Sequence, residues 1–170
     1  RAMIKPSEVT PASAALMAEL IAGAFDETEI AVVQGGPSAG TAFTSLAFDH
    51  LIFTGGTAVA HHVMRAAADN LTPLTLELGG KSPVIVGRSA DLADAARRVM
   101  TVKTLNAGQI CLAPDHVYVP EESVEAFAGH AVAAVGAMYP ALQENPDYTS
   151  IVNARHLARI EGLIDDARAK

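Results

Sequence analysis

No block of lysine or arginine occurs in these 170 residues, and the formal net charge is −7. Nucleic-acid binding, which needs a basic surface against phosphate, has nothing to stand on. No apolar run reaches the roughly 20 residues that a membrane-spanning helix requires. No secretory signal opens the sequence, which begins at Arg1. Cysteine occurs once, at Cys111. A lone cysteine excludes an intrachain disulfide and fits a reducing, cytoplasmic compartment.

Other absences narrow the chemistry. The histidines (His50, His61, His62, His116, His130 and His156) show no ligand spacing, and no H-E-x-x-H motif is present, so no metal site is expected. Ser38, Ser45 and Ser82 lack the context of a nucleophile elbow. There is no internal repeat and no low-complexity linker. The G-x-G-x-x-G dinucleotide fingerprint is not matched at the one strand–glycine–helix junction that would suit it, Phe53 to Ala58.

What is present is apolar material in alternating short runs. Half of the residues are hydrophobic, ample for a sizeable core, and the length allows one domain or two halves of something larger. Ala2 to Lys5 reads as a strand stopped by Pro6. Thr10-Pro11 then reads as a hydroxyl N-cap with proline at the first helical position, opening a helix with Ala15, Leu16, Leu20 and Ile21 on its buried face. A strand at Ile30–Val33 ends in Gly35-Gly36-Pro37, read as a turn, with a short helical piece near Ala42 to Phe48. A strand His50–Phe53 runs into a helix over Ala58–Asp69, followed by strands at Leu74–Leu78 and Pro83–Val86. Asp91 or Ser89 caps a helix running past Ala95, Val99 and Val102 towards Gly108. A strand Val117–Val119 is followed by a helix opened by Ser123, with Val124, Phe127, Val132 and Val135. The last helix places Leu157, Ile160, Leu163, Ile164 and Ala167 on one side. Alternation of this kind predicts a parallel sheet with crossover helices, an α/β fold. Gly79-Gly80 marks the predicted boundary, and the chain reads as an internal piece of a longer polypeptide.

Two residues stand out chemically. In Leu74-Thr75-Leu76-Glu77-Leu78, alternation sets Thr75 and Glu77 on one face and the leucines on the other. An exposed polar strand face would explain this. A buried Glu77, with its pKa raised, would instead make a general base worth roughly 10²–10⁴-fold in rate. Cys111 follows Gly108-Gln109-Ile110 in a loop ending at Pro114. A free thiol titrates near about 8.5 and needs help to act as a nucleophile, and a lone cysteine is often just a small buried hydrophobe. Both readings stand for each residue. Lys5 and Glu8 follow the first strand, where open α/β sheets bind ligands, or are solvated charges beside a proline. Gly55-Gly56 precedes a helix N-terminus whose unpaired N–H groups suit a pyrophosphate, or forms a plain βα turn. Glu121-Glu122 reads as the solvated start of a helix.

Taken together and in order, four motifs resemble the aldehyde dehydrogenase superfamily. They are Lys5-Pro6-Ser7-Glu8, Phe53-Thr54-Gly55-Gly56-Thr57, Leu76-Glu77-Leu78-Gly79-Gly80-Lys81-Ser82-Pro83 and Asn106-Ala107-Gly108-Gln109-Ile110-Cys111. Ile151 to His156, leading to Leu163-Ile164-Asp165, resembles the class 3-like branch, which includes fatty aldehyde and bacterial coniferyl aldehyde dehydrogenases, and the resemblance leans towards the latter.

The resemblance implies part of a Rossmann-like NAD(P)-binding domain at 1–78 and part of an α/β catalytic domain at 79–170. Cys111 would attack the aldehyde, Glu77 would activate water against the resulting thioester, and the Cys111 N–H would be one oxyanion donor. The second donor would be an asparagine side chain that precedes this piece. Lys5 and Glu8 would contact the adenosine ribose, and Gly55, Gly56 and Thr57 would form the turn near the pyrophosphate. The carboxylate at Glu8 favours NAD, with NADP possible. A homodimer or homotetramer is implied. An acylating reductase of the same fold and a non-catalytic nucleotide-binding protein are the alternatives. The sequence departs from the family pattern at Gly56 (often serine or asparagine), Ala60 (often glycine), Val102 (usually glycine) and Thr104 (usually aromatic).

Overall fold

The computed structural model describes residues 1–170, and its contacts divide the chain into two units, Arg1–Leu78 and Gly79–Lys170. The first unit runs β1 (Ala2–Ile4), α1 (Pro11–Ala24), β2 (Ile30–Val32), α2 (Pro37–Thr44), β3 (Leu51–Gly55), α3 (Thr57–Ala68) and β4 (Leu74–Leu78). β1 and β2 pair in parallel with Ala2 opposite Ile30, and β3 and β4 pair in parallel with Leu51 opposite Leu74 and Gly55 opposite Leu78. Each parallel pair is joined across a helix, α1 or α3, as parallel connection requires. Phe43, Leu51 and Val63 form the buried core, with Val33, Phe48, Phe53 and Leu74 packed against them. Burying each such side chain contributes about 1.5–3 kcal/mol.

Several expectations change here. α1 begins at Pro11 as predicted, but the Thr10 side chain does not cap it; its hydroxyl reaches back to the Ser7 carbonyl at 3.5 Å. The predicted buried face of α1 is largely outside. Leu16 and Leu20 are exposed, and the buried residue is Ala14. The helix is apolar all round, so periodicity could not select the face that meets β2. Gly35-Gly36-Pro37 does more than turn. Gly36 is the N-cap and Pro37 the first residue of α2, which therefore begins five residues before the predicted Ala42. α3 ends in a reverse turn closed by Leu71 N–H to Ala68 C=O at 3.1 Å and Thr72 N–H to Ala67 C=O at 3.0 Å, with Leu71 left-handed at φ 55°. Glycine ordinarily occupies such a position.

The second unit runs β5 (Pro83–Ile85), α4 (Leu92–Thr104), β6 (His116–Tyr118), α5 (Val124–Met138) and α6 (Ala154–Ala169). β5 and β6 pair in parallel, Pro83 opposite His116 and Ile85 opposite Tyr118. Of the two proposed caps for α4, Asp91 is the one used, its carboxylate accepting the Asp94 N–H at 3.0 Å. Val86, Ala96, Val99 and Phe127 make the core, joining the strands to α4 and α5. Ser123 precedes α5 but gives no side-chain cap, because residues Glu121–Ser123 already form a 3₁₀ turn. Glu122 is exposed there and pairs with Arg88 at 3.0 Å. Val132 is 75% exposed on the rim of an open apolar hollow of about 410 Å³ lined by Met100, Ala131, Val135 and Gly136. α6 is capped by Asn153, which accepts the His156 N–H at 3.0 Å, and its stripe of Leu157, Leu163 and Ile164 is exposed.

Candidate active site

In the first unit the candidate residues lie at or near the C-terminal ends of strands in two parallel pairs, β1–β2 and β3–β4, the kind of place where open α/β sheets bind ligands. Lys5 follows β1. Its ammonium donates to the Pro6 carbonyl at 3.0 Å and pairs with Glu8 at 3.0 Å, so the structure brings Lys5 and Glu8 together. The side chain of Lys5 is 14% exposed and that of Glu8 39%. The aliphatic stem of Lys5 lies over α2 at Gly40, where an added Cβ would meet its Cε at 3.5 Å. A buried stem under a directed ammonium is a preset geometry rather than two loose surface charges.

β3 ends in Gly55-Gly56, and the two glycines serve different purposes. A Cβ at Gly55 would come within 2.6 Å of the Phe53 ring, so only glycine lets that ring fold over the strand end. A Cβ at Gly56 would meet nothing within 4 Å. Gly56 is the N-cap of α3, its carbonyl accepting the Val59 and Ala60 N–H groups at 3.0 Å each. Thr57 is therefore the first helical residue, beside open space at a helix N-terminus. A diphosphate fits this arrangement on three counts: no side chain blocks Gly56, the helix end carries partial positive charge, and the N–H groups of Thr57 and Ala58 are unclaimed by the helix. A serine or asparagine at 56 would have added a side-chain donor; glycine offers only its backbone at that position. Ala60 does not obstruct the turn, because its methyl is buried on the core side of α3 with Val63 and Ala67.

Glu77 lies on β4 directly opposite Thr54 of β3, so it sits one residue from the Gly55 turn in register. The alternation holds as predicted, with the leucines half-buried and Thr75 and Glu77 exposed. Burial of Glu77 is not observed. Parallel sheets are ordinarily covered on both faces, whereas the Ile52–Thr54–Thr75–Glu77 face of this pair is open within the chain, with Ile52 67% exposed. Thr75 is held by His50, whose Nε2 lies 2.9 Å from the Thr75 hydroxyl.

In the second unit Cys111 is exposed within these residues. The loop before it is unusual. Asn106, Ala107 and Gly108 all lie in the left-handed region, at φ 51°, 54° and 76°. Two non-glycine residues there cost about 1–2 kcal/mol each, so the loop needs compensating contacts. Gln109 supplies them. Its side-chain Nε2 donates to the carbonyls of Asn106 at 2.9 Å and Ser150 at 3.1 Å, and its Oε1 accepts the Val152 N–H at 3.0 Å. The Asn106 side chain in turn donates to the Gln109 carbonyl at 3.3 Å. No intrachain hydrogen bond uses the Cys111 N–H, which leaves it available as a donor beside the thiol. Thr104, at the end of α4, is buried and donates to the Met100 carbonyl at 2.7 Å; an aromatic side chain there would not fit without repacking.

Beyond the loop, Asp115 takes the Lys81 ammonium and the His116 imidazole (Nδ1 at 3.3 Å), and its N–H donates to the Ser82 carbonyl at 2.9 Å. The Lys81 contact, with His116 assisting, holds the Asp115 carboxyl below its usual range. This pair ties the Gly79–Pro83 segment to the exit of the cysteine loop. Sequence reading assigned no role to Gln109 or Asp115, since nothing local marks an amide that bonds to a backbone 41 residues away. No cluster of three or more histidine, cysteine or acidic side chains could hold a metal ion, and no helix is long and apolar enough to cross a membrane.

The fold and motif order define a class: an α/β chain of the aldehyde dehydrogenase type. The aldehyde dehydrogenase family model matches residues 1–170, and the chain belongs to that family. It is 65% identical over 170 residues to a coniferyl aldehyde dehydrogenase of a Pseudomonas species and 64% identical to a probable coniferyl aldehyde dehydrogenase of Caulobacter vibrioides, covering 100% of this chain and 35% of each relative. Among solved structures it resembles the substrate-bound AldH of Staphylococcus aureus (TM-score 0.88, 39% identity, 98% of this chain and 37% of that one). It also resembles a Mycobacterium tuberculosis aldehyde dehydrogenase complexed with NAD+ (TM-score 0.82, 32% identity, 96% of this chain and 35% of that one). The chain thus spans about a third of the length of the relatives it matches.

Proposed function

We propose that the polypeptide carrying these residues oxidises an aldehyde to its carboxylic acid with NAD(P)+, with residues 1–78 contributing to cofactor binding and 79–170 to catalysis. The observation that carries the reading is Cys111 itself: exposed, at the end of a braced loop, with its own N–H uncommitted, in a chain that matches the family throughout. The Cys111 thiolate attacks the aldehyde carbon, forming a C–S bond and placing negative charge on oxygen. The Cys111 N–H meets that charge, a contribution of roughly 10²–10³-fold when such a donor is preset. Bound NAD(P)+ supplies the acceptor for the hydride leaving this carbon, so that the carbonyl re-forms as a thioester. Glu77 takes a proton from water, whose oxygen attacks the thioester carbon and expels the Cys111 thiolate. Lys5 and Glu8 bind the ribose hydroxyls, and Gly55, Gly56 and Thr57 receive the pyrophosphate at the start of α3.

Glu8 accepts hydroxyl hydrogens and repels a 2′-phosphate, which favours NAD over NADP. Identities of 65%, 64% and 55% to three relatives named as coniferyl or probable coniferyl aldehyde dehydrogenases support an aromatic, coniferyl-like aldehyde as substrate. A cytoplasmic homodimer or homotetramer completes the reading. Glu77 argues against an acylating reductase, because a thioester passed to coenzyme A needs no base for water. The test is NAD-linked oxidation of coniferyl aldehyde and a panel of aliphatic aldehydes by the complete polypeptide. Cys111→Ser, or iodoacetamide on Cys111, should abolish it; activity surviving stoichiometric labelling would remove the mechanism.

A further inference from the structure

We infer that Gln109 is a positioning residue for Cys111, fixing where the nucleophile and its N–H stand by clamping the cysteine loop to the segment that leads into α6. The inference rests on Cys111 being the nucleophile. Three observations carry it. First, the backbone before Cys111 is held through three successive left-handed residues, Asn106, Ala107 and Gly108, two of which are not glycine. Such a run persists only when surrounding bonds over-determine it. Second, the Gln109 amide satisfies both ends of its polarity on backbone groups. Its nitrogen donates to Asn106 and Ser150 carbonyls at 2.9 and 3.1 Å, while its oxygen accepts from Val152 at 3.0 Å. It pairs with the Ser150–Val152 backbone as an adjacent strand residue would. Third, the far side of the clamp is itself fixed, because Asn153 next to Val152 caps α6 on the His156 N–H.

The bonds fall two residues before Cys111, where a small rotation of the loop is carried directly into the thiol and its N–H. No other residue of the loop has side-chain bonds reaching beyond it. Removing the clamp should therefore slow attack on the aldehyde while leaving cofactor binding alone, since the groups proposed for the cofactor belong to residues 5–57. A merely structural residue would instead reduce the amount of folded enzyme and leave the remainder with parental rate constants.

The experiment compares Gln109→Met, similar in length but without donor or acceptor, with the parent and with Cys111→Ser in the complete polypeptide. Active sites are counted by thiol titration. The pre-steady-state burst of NADH from coniferyl aldehyde, the KM for NAD+, and the iodoacetamide rate on Cys111 across pH are then measured. The expected result is a burst slowed on the order of 10- to 100-fold per titrated site. The KM for NAD+ stays within about threefold of the parent, the alkylation profile is altered, and the slowed burst shows no primary kinetic isotope effect with the 1-deuterated aldehyde, because attack breaks no C–D bond. A burst rate per site within about twofold of the parent would overturn the assignment. Should Gln109→Met not fold, Gln109→Glu, which keeps the acceptor for Val152 and loses the donor for Ser150, decides by the same criterion. If Cys111→Ser retains oxidation, it is the proposed function that fails, whatever Gln109 does.

Discussion

Replacing Glu77 with glutamine separates the base from every structural role the residue could have. The side chain is exposed on the open face of β4, its backbone pairing with β3 is untouched by the change, and the opposite face carries the leucines. An isosteric change at such a position should alter stability by less than about 0.5 kcal/mol. Loss of a general base is worth roughly 10²–10⁴-fold, or about 2.7–5.5 kcal/mol of barrier at 1.36 kcal/mol per decade. The kinetic effect is thus several times larger than anything folding could contribute. If Glu77 acts on water at the thioester stage, Glu77→Gln should leave the first turnover nearly intact and stall the second. Mixing enzyme, NAD+ and aldehyde would give a burst approaching one NADH per site, followed by a steady state slower by the full factor. Quenched samples would carry the acyl group on Cys111 by mass spectrometry. Were the base needed to deprotonate Cys111 instead, the burst itself would slow and no acyl-enzyme would accumulate. Steady-state kinetics equal to the parent's would refute both assignments.

Two further outcomes follow from local structure. Leu71 is 89% exposed at φ 55°, so its side chain gains almost nothing from burial while its backbone bears the left-handed cost. Leu71→Gly should stabilise the protein by about 0.5–1 kcal/mol, the steric relief of about 1–2 kcal/mol less the extra freedom of glycine in the unfolded chain; a lower urea midpoint would count against this. The Asp115 carboxyl, held low by Lys81 and then His116, contributes stability that is fully present above the ordinary carboxylate range and lost as pH falls through the depressed value. Asp115→Asn should therefore flatten the acid limb of a pH–stability profile below about pH 4, and a limb identical to the parent's would remove the coupling.

Legibility from sequence followed the strength of each local rule. β4 was readable to its terminal residues because strict alternation admits one strand register, and the same alternation set Glu77 opposite the leucines. Asp91 was readable only as one of two candidate caps beside Ser89, since both residue types cap helices; the Asp94 N–H selects Asp91. α1 resisted because apolar residues cover its whole circumference, so composition said helix without saying which side meets β2. Pro37 carried the same message as Pro11, but beside two glycines it read as a turn, and the start of α2 was missed.

The candidate site divides along a similar line. Residue types with rare chemistry, the single cysteine and the carboxylate in a leucine strand, announced themselves; the groups that hold them in place did not. Nothing about alanine foretells a left-handed Ala107, and nothing about glutamine foretells that Gln109 will pair with backbone at Ser150 and Val152. Those features exist only once two distant segments meet, which is tertiary information that periodicity cannot encode. The exposure of Glu77 belongs with them. Its carboxylate is open within a chain spanning about a third of its relatives' length, on a sheet face of a kind that parallel strands ordinarily keep covered. The environment that would tune this base is therefore not a property of its own strand. Within these residues, what can be argued for Glu77 is position: opposite Thr54, one residue in register from the Gly55 turn, at the strand end where a ligand would arrive.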